Sequence, residues 1–393
     1  MQRTGLILMG GGARAAYQAG VLEAIWSILR DEGWPAACNP FQVICGTSAG
    51  AITAAALACR ADRIDEAIGT VLDTWSRVRA GDVYRVDVPG ALSNALHWVL
   101  ALGFGWLVRT RPRSLFDNTP LNGLLSRLID PACLSRAIDS GALHAFAVTA
   151  SSYTSGQHVT YYQSATPIVP WSRTQRLACP TRIGVDHLLA SSAIPFVFPA
   201  VALALGDRHE YFGDGSIRQT APISPAIHLG ADRILVIGAG QLQAGTVHST
   251  HTGSQYHYPS LAQVAGHAMA SIFLDALAGD IERLSRVNNT LQLIPESDRS
   301  ATRLRPIDVL AIAPSERLDA LATEHIHALP RTARTLLRMI GATDRRGAGL
   351  ASYLLFEPPY TRALIELGRK DTFARKDDVR RFFASNDSTT NGP

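Results

Sequence analysis

The chain has 393 residues, of which 47% are hydrophobic and 18% are charged, and its formal net charge is +4. This composition is typical of a globular protein and excludes a chain that is disordered over most of its length. Arginine and lysine are spread along the sequence rather than gathered in blocks, so we expect no nucleic acid as a partner. The five cysteines show no C-x-x-C pairing, which predicts a cytoplasmic protein without a zinc or other metal site.

The first fifty residues predict an alternation of strands and helices. Leu6 to Met9 is a short apolar run before a glycine loop, and residues 13–30 carry apolar side chains at helical spacing. A second apolar run, Phe41 to Cys45, precedes the small-residue helix Ala51 to Ala58. Alternating strands and helices predict an α/β fold, in which a mainly parallel or mixed central sheet carries helices on both faces.

The rest of the chain predicts three more strands and a largely helical C-terminal part. Apolar runs suited to strands occur at Ala145 to Ala150, His158 to Tyr162 and Ile234 to Ile237. Apolar residues at helical spacing from Leu261 to Val287 predict a long amphipathic helix. A further short strand is predicted near Leu291 to Ile294.

The segment Gly46-Thr47-Ser48-Ala49-Gly50 has the pattern G-x-S-x-G between a predicted strand and a predicted helix. A serine on a sharp strand-to-helix turn needs small neighbours, because its backbone is strained and the flanking chain passes very close. Free N–H groups at the start of the following helix would favour a developing negative charge beside Ser48. This context favours a nucleophilic serine over an ordinary Gly/Ser turn.

The glycine run Gly10-Gly11-Gly12 also follows a strand and opens a helix. Its N–H groups could form an oxyanion hole, which stabilises the tetrahedral intermediate of acyl transfer. Alternatively, Gly10, Gly12 and Ala15 fit the G-x-G-x-x-G/A pattern of dinucleotide-binding proteins. That pattern needs an acidic residue at the end of the next strand, where this chain has Cys45 and then GTSAG, so the oxyanion hole is favoured.

A serine nucleophile needs a base, and Asp214 is the candidate that the sequence offers. It lies between Gly213 and Gly215 after a strand-like run, although an Asp-Gly turn joining two strands is an equally ordinary use of this pattern. A triad would instead require a histidine. The histidines considered for that role have no distinctive local context and are His187, His267, His325 and His327.

Three motifs follow one another in the order GGGARAAYQAGVL, GTSAG and DGS, and this arrangement resembles the patatin-like phospholipases, bacterial members with a C-terminal extension included. The resemblance implies a three-layer patatin-like fold and a Ser–Asp dyad that hydrolyses acyl esters of lipids or phospholipids without a cofactor. It makes Ser48 the nucleophile and Asp214 its base. It also implies an oxyanion hole and supporting positions, namely Gly10, Gly11, Gly12 and Ala49 for the hole, with Arg14, Gly46, Gly50 and Gly215 in support.

The chain departs from the family pattern at two places, neither of which belongs to the dyad. Ala15 stands where the first motif usually has glycine, and Ser216 follows Asp-Gly where the family has alanine or glycine. Two other functions stay open from the sequence. One is a Ser-His-Asp carboxylesterase of α/β-hydrolase type, and the other is a non-catalytic nucleotide-binding scaffold.

The resemblance and the change in composition along the chain predict its domain organisation. We expect, in chain order, a catalytic domain over 1–240, a polar linker loop over 241–260, a mostly helical extension packed on the core over 261–383, and a disordered tail over 384–393.

The apolar stretch 91–108 approaches the length of a membrane span and is followed by three arginines. Trp98, Phe104 and Trp106 would suit a helix or lid that meets a lipid surface. We therefore predict a peripheral membrane contact through residues 91–113, with a buried cap helix as the alternative. A true span is disfavoured because both flanks belong to the same predicted domain.

Overall fold

The computed structural model describes residues 2–85, 114–241 and 258–384, apart from residues 300, 303, 345 and 346. The predicted membrane contact at 91–108 and its arginines up to 113 lie outside the described residues. Most of the predicted linker lies outside them as well, and only Gln241 and residues 258–260 of it are described. Of the predicted tail, only Ala384 is described. The division into two domains stays a prediction.

Ten strands form one mixed sheet at the centre of the described chain. The strands are β1 Thr4–Leu8, β2 Val43–Thr47, β3 Ala145–Ser152, β4 His158–Ser164, β5 Ser172–Arg173, β6 Arg176–Pro180, β7 Val201–Leu205, β8 Arg208–Asp214, β9 Arg233–Ile237 and β10 Asp308–Ile312. Their order is β10-β9-β1-β2-β3-β4-β6-β5, and β8 adds to β3 and pairs with β7. The run from β10 to β3 is parallel, whereas β4 and β8 are antiparallel to β3.

Before residue 242, the described part of the chain has eight helices. They are α1 Ala16–Asp31, α2 Ala49–Ala58, α3 Ile64–Arg77, α4 Ala80–Val83, α5 Thr119–Leu128, α6 Pro131–Asp139, α7 Val185–Ser191 and α8 Ser224–His228. Short 3-10 turns at Gly12–Ala15 and Gly215–Arg218 follow β1 and β8.

The helices after residue 257 form most of the C-terminal part. They are α9 Leu261–Ala270, α10 Ala276–Leu293, α11 Glu296–Arg299, α12 Leu318–His325, α13 Arg331–Met339, α14 Ala348–Leu354, α15 Pro358–Ala374 and α16 Lys376–Ala384. A π-helical turn, Ser271–Asp275, joins α9 to α10, and a 3-10 turn, Ile326–Ala328, follows α12. The predicted long helix from residue 261 is therefore present.

Two apolar layers enclose the sheet, because successive side chains of a strand point to opposite faces. Leu6 and Leu8 of β1 pack with α1 and α2 on one face, while Ile7 packs with α8 and α10 on the other. The fold is therefore α/β with a mixed central sheet between helices, as the sequence predicts.

The C-terminal part is bound to the sheet and to α1 rather than attached by its end alone. Strand β10 extends the parallel sheet beside β9. Helix α15 lies so close to α1 that a Cβ added to Gly20 would lie 1.9 Å from the Ile365 carbonyl oxygen. A Cβ on Gly368 would likewise lie 2.3 Å from the Tyr17 carbonyl oxygen. Glycine at both contact points permits this close approach of two backbones.

The strand predicted at Leu291 to Ile294 is wrong. Helix α10 continues through Leu293, and the strand that completes the sheet is β10, Asp308–Ile312. Short apolar runs do not distinguish a helix end from a buried strand, because both need only a few apolar residues. In the structure, Leu291 is buried as part of helix α10 rather than of a strand.

Candidate active site

Ser48 lies at the turn between β2 and α2 in a backbone conformation that side chains rarely adopt. Its φ is +56° and its ψ is −132°, and its side chain is buried. Such a conformation costs about 1–3 kcal/mol for a residue other than glycine and is retained where the surrounding structure enforces it. The strand–turn–helix context predicted for G-x-S-x-G is confirmed.

Gly46 and Gly50 provide the space that this turn needs. A Cβ on Gly50 would lie 2.3 Å from the Leu8 carbonyl oxygen, and one on Gly46 would lie 2.5 Å from the Cα of Ala51. Both obstacles are backbone atoms, so a side chain at either position would displace the strand or the helix.

Replacement of Gly50 by alanine is expected to lower the free energy of unfolding by about 2–4 kcal/mol, because the new methyl group has no free volume. The matched control is Gly69→Ala in the exposed part of α3, where an added Cβ meets nothing within 4 Å. That change should raise the free energy of unfolding by about 0.5–1 kcal/mol. Denaturant titration measures both, and equal midpoints for Gly50→Ala and the unaltered chain would contradict the prediction.

The structure brings Ser48 and Asp214 together. Ser48 Oγ donates a hydrogen bond of 2.5 Å to Asp214 Oδ2, and the backbone N–H of Ser216 donates one of 2.9 Å to Asp214 Oδ1. Both side chains are buried. Asp214 is the last residue of β8 and pairs with Ala150 of β3. This register places the carboxylate at the edge of the sheet where the turn of Ser48 lies.

Burial dominates the electrostatics of the Asp214 carboxyl. It raises the pKa of Asp214 to about 6, while the hydrogen bonds from Ser48 and Ser216 act in the opposite direction by favouring the ionised form. The group is therefore mostly ionised at neutral pH but is a stronger base than an exposed aspartate.

The glycine loop lies against this pair. A Cβ on Gly10 would lie 2.5 Å from Ser216 Oγ and 2.9 Å from Ser48 Cβ. Gln18 Nε2 donates a hydrogen bond of 2.7 Å to the Met9 carbonyl oxygen and so fixes the entry to the loop. Within the described chain, no backbone hydrogen bond uses the N–H groups of the three glycines, Gly10, Gly11 and Gly12.

Arg14 binds the loop to the C-terminal part and is buried in doing so. Its Nε donates to Ser352 Oγ at 2.8 Å, and its guanidinium carbon lies 4.0 Å from the centre of the Tyr353 ring. A Cβ on Gly12 would meet the Tyr353 carbonyl oxygen at 2.2 Å. Helix α14 therefore packs directly behind the glycine loop, a contact that sequence reasoning missed because its partners are more than 300 residues apart.

Comparison with known proteins identifies the family. The family model described as patatin-like phospholipase matches residues 6–227, which is more than half of the chain. The chain belongs to the patatin-like phospholipase family. This membership makes it a lipid hydrolase in general terms and agrees with the patatin-like fold expected from the sequence. No curated protein sequence matches the chain.

Similar solved structures come from two bacterial effectors. VipD from Legionella pneumophila is 13% identical, with a TM-score of 0.29, and the match covers 93% of this chain and 67% of that one. Full-length ExoU, in its complex with full-length SpcU from the type III secretion system of Pseudomonas aeruginosa, is 15% identical with a TM-score of 0.24. That match covers 99% of this chain and 89% of the other.

Polar side chains that the motifs did not indicate form hydrogen bonds around the turn of Ser48. Ser191 Oγ accepts a hydrogen bond of 2.8 Å from the backbone N–H of Ser48. Thr47 Oγ1 lies 2.7 Å from Thr149 Oγ1 and accepts a hydrogen bond from Gln219 Nε2 at 2.8 Å. Ser191 falls within residues 190–201, ASSAIPFVFPAV, a stretch that resembles the family segment ahead of the aspartate. Thr149 and Gln219 carry no sequence signal, because the register between β2 and β3 brings Thr149 to Thr47 and the turn after β8 brings Gln219 there.

A narrow cavity of about 40 Å³ opens beside Ser48. Ser192 also reaches it, and its buried hydroxyl has no hydrogen-bond partner among the described residues. The rest of the lining is mainly apolar and includes Ile52, Trp75, Val83, Leu121, Phe198 and Phe356. This volume is far smaller than the roughly 300–1,000 Å³ of a typical site for a small organic ligand, so an acyl chain requires these side chains to move apart.

The four candidate triad histidines lie elsewhere. His187 accepts a hydrogen bond from the Gly184 N–H, and no hydrogen bond in the described structure joins His187, His267, His325 or His327 to Ser48 or Asp214. Another histidine, His158, is buried near Gly215, and burial lowers its pKa to about 4. Its imidazole is therefore neutral at physiological pH. Among the described residues, no group of three His, Cys, Asp or Glu side chains could hold a metal ion.

Proposed function

We propose that the protein is a serine lipid acyl hydrolase of the phospholipase A or lysophospholipase type, with Ser48 as nucleophile and Asp214 as its base. The observation that carries this proposal is the 2.5 Å hydrogen bond from Ser48 Oγ to Asp214 Oδ2 at a buried, strained turn. Strain of this kind persists at functional sites because it presents the nucleophile to the substrate.

In the acylation step, Asp214 accepts the hydroxyl proton while Ser48 Oγ attacks the ester carbonyl carbon. The resulting tetrahedral intermediate carries a negative charge on the former carbonyl oxygen. Its collapse breaks the ester C–O bond, and Asp214 returns the proton to the departing alcohol or lysolipid. Water then attacks the acyl-serine by the same route, which releases the fatty acid and restores the Ser48 hydroxyl.

The raised pKa of Asp214 supports its role as the base. A general base works best when its pKa lies near the working pH, because it is then both ionised and able to take a proton. An exposed aspartate, with a pKa near 3.8, would be a much weaker base than Asp214, whose pKa burial raises to about 6.

The glycine loop and the start of α2 support stabilisation of the oxyanion. The N–H groups of Gly10, Gly11 and Gly12 make no backbone hydrogen bonds within the described chain, and the loop lies against Ser48. Ala49 is the first residue of α2, where unpaired N–H groups and the helix dipole favour negative charge. Each donor aimed at the oxyanion contributes about 3–4 kcal/mol to the transition state.

The apolar cavity beside Ser48 supports a substrate with an acyl chain. Ile52 lies one turn along α2 from Ser48 and lines this cavity. Replacement of Ile52 by tryptophan is expected to lower kcat/KM for a long-chain ester at least about tenfold relative to an acetate ester, since the larger side chain occupies the space for the chain. The ratio of the two kcat/KM values is the measurement, and an unchanged ratio would place the acyl chain elsewhere.

Covalent labelling with a fluorophosphonate tests the proposed nucleophile, because an unactivated serine stays unmodified. The intact chain should incorporate one equivalent, and peptide mapping should place it on Ser48. The matched control is Ser192→Ala, which removes another hydroxyl of the same cavity and should leave labelling in place. Labelling that survives Ser48→Ala, or that never occurs, would refute the proposal.

A further inference from the structure

A second cleft lies on the other side of the central sheet from Ser48. Its lining side chains include Ile223, Ile227 and Ile307 of the apolar layer around α8 and α10, and it shares no lining residue with the cavity beside Ser48. Its volume is about 480 Å³. Sites for small organic ligands are typically about 300–1,000 Å³, so the cleft is large enough to hold one.

The floor of this cleft is apolar. Besides the three isoleucines, Leu284 and Val287 of α10 line the cleft and add to this apolar floor. A floor of this kind favours contact with a hydrocarbon group over contact with a small inorganic ion, because the apolar surface gains free energy only when another apolar group covers it.

Two arginines stand opposite each other at one wall. Strands β5 and β6 form a tight antiparallel hairpin, in which Arg173 and Arg176 are directly paired, and both side chains line the cleft. Like charges at directly opposed positions of an antiparallel pair destabilise it. Within the described structure, neither guanidinium lies within 4 Å of a carboxylate, and Arg173 donates only to the carbonyl oxygen of its neighbour Ser172. The hairpin therefore forms no ion pair among the described residues. Asp280 also lines the cleft and offsets part of the positive charge: burial raises the pKa of Asp280, and the charge of Arg176 acts in the opposite direction.

The other charged groups of the cleft largely neutralise each other. Arg283 pairs with Asp280 at 3.2 Å, and Arg305 pairs with Asp232. Burial lowers the pKa of His228, which also lines the cleft, and the nearby positive charges of Arg173 and Arg176 lower that pKa further. An anion bound at the hairpin would relieve this repulsion.

We propose that this cleft binds a single-chain anionic lipid, with its carboxylate or phosphate between Arg173 and Arg176 and its hydrocarbon chain on the isoleucine and leucine floor. Arginine suits both head groups, because its planar N–H donors match two oxygens of either one. The charge and the chain are both needed: a bare anion leaves the floor exposed to water, and a neutral chain leaves the arginines opposed.

Calorimetric titration of oleate into the full chain carrying Ser48→Ala tests the proposal. In this variant no acyl-enzyme can form at Ser48, so the heat measured is that of binding alone. The Arg173→Gln/Arg176→Gln variant in the same background is expected to bind oleate at least about tenfold more weakly. The matched control, Arg208→Gln, removes an exposed arginine from the β7–β8 hairpin and should leave the affinity unchanged. Oleyl alcohol and acetate, which lack the charge and the chain respectively, should each bind at least about tenfold more weakly than oleate.

Tryptophan fluorescence and the melting temperature test the same cleft independently of calorimetry. Trp171 stacks on His228 with ring centres 4.6 Å apart, so oleate binding should change a fluorescence component that is missing from Trp171→Phe. Without ligand, the double glutamine variant should melt at the same or a higher temperature, because it removes the opposed charges. Binding of 1-oleoyl lysophosphatidate with the same arginine dependence would also support the proposal. Equal oleate affinities with and without the two arginines, or acetate binding as tight as that of oleate, would overturn it.

Discussion

The substitution Ser48→Ala is expected to reduce phospholipid hydrolysis to the background of the assay, a loss in kcat of roughly 10⁴–10⁶-fold. Without Oγ no acyl-enzyme forms, and the loop N–H groups retain only a small stabilisation of attack by water. The measurement is release of fatty acid from a mixed lipid extract, followed by mass spectrometry for the intact chain and for Ser48→Ala.

The same substitution should leave the fold intact. Alanine is no larger than serine, and the strained φ of +56° is equally unfavourable for both residues, so the turn loses little besides the hydrogen bond to Asp214. Circular dichroism and the melting temperature provide the control. If the two proteins change every lipid class equally, Ser48 is not the nucleophile and the proposed enzymatic function fails.

Replacement of Asp214 by asparagine is expected to lower kcat/KM by about 10³–10⁴-fold, because the amide cannot accept the Ser48 proton. The asparagine oxygen can still accept the hydrogen bond from the Ser216 N–H, so the geometry should persist. Initial rates on a soluble ester measure the loss. The controls are His187→Gln and His267→Gln, which should stay within a few-fold of the unaltered chain. A comparable loss at either histidine would favour a triad instead.

The raised pKa of Asp214 gives this prediction a pH dependence. Activity requires the ionised carboxylate, so kcat/KM of the intact chain should fall as the pH drops below about 6. Both histidine variants should keep this acidic limb, because the group that titrates is the carboxyl. If the fall in kcat/KM at low pH shifted or disappeared in either histidine variant, the titrating group would not be the Asp214 carboxyl.

The free energy of unfolding should depend on pH in the opposite direction from kcat/KM. The pKa of Asp214 is higher in the folded chain than the ordinary value of 3.8, so the folded state binds more protons between about pH 4 and pH 6. The free energy of unfolding therefore decreases through this group as the pH rises across that window, and it stays lower above it. Asp214→Asn removes the buried charge and should melt at the same or a higher temperature at pH 7. A clear fall in the melting temperature would show that the carboxylate stabilises the fold.

Local physics explains what the sequence predicted well. The turn at Ser48 needs glycine on both sides, and the close approaches of Gly46 and Gly50 to neighbouring backbone are visible in the sequence as G-x-S-x-G. Apolar runs likewise predicted β1, β2 and β3 within a few residues of their bounds. The strand predicted at Leu291 to Ile294 was wrong because a short apolar run carries no information about which element buries it.

The sequence by itself determined the α/β class, the turn that carries Ser48 and the glycine loop, because each depends on residues that are neighbours along the chain. Only the tertiary structure decided which groups meet across long separations. Asp214 reaches Ser48 over 166 residues through the register between β8 and β3, and Arg14 reaches Ser352 over 338 residues. Such contacts depend on sheet order and helix packing, which arise from the sum of many burial and pairing energies rather than from any local pattern.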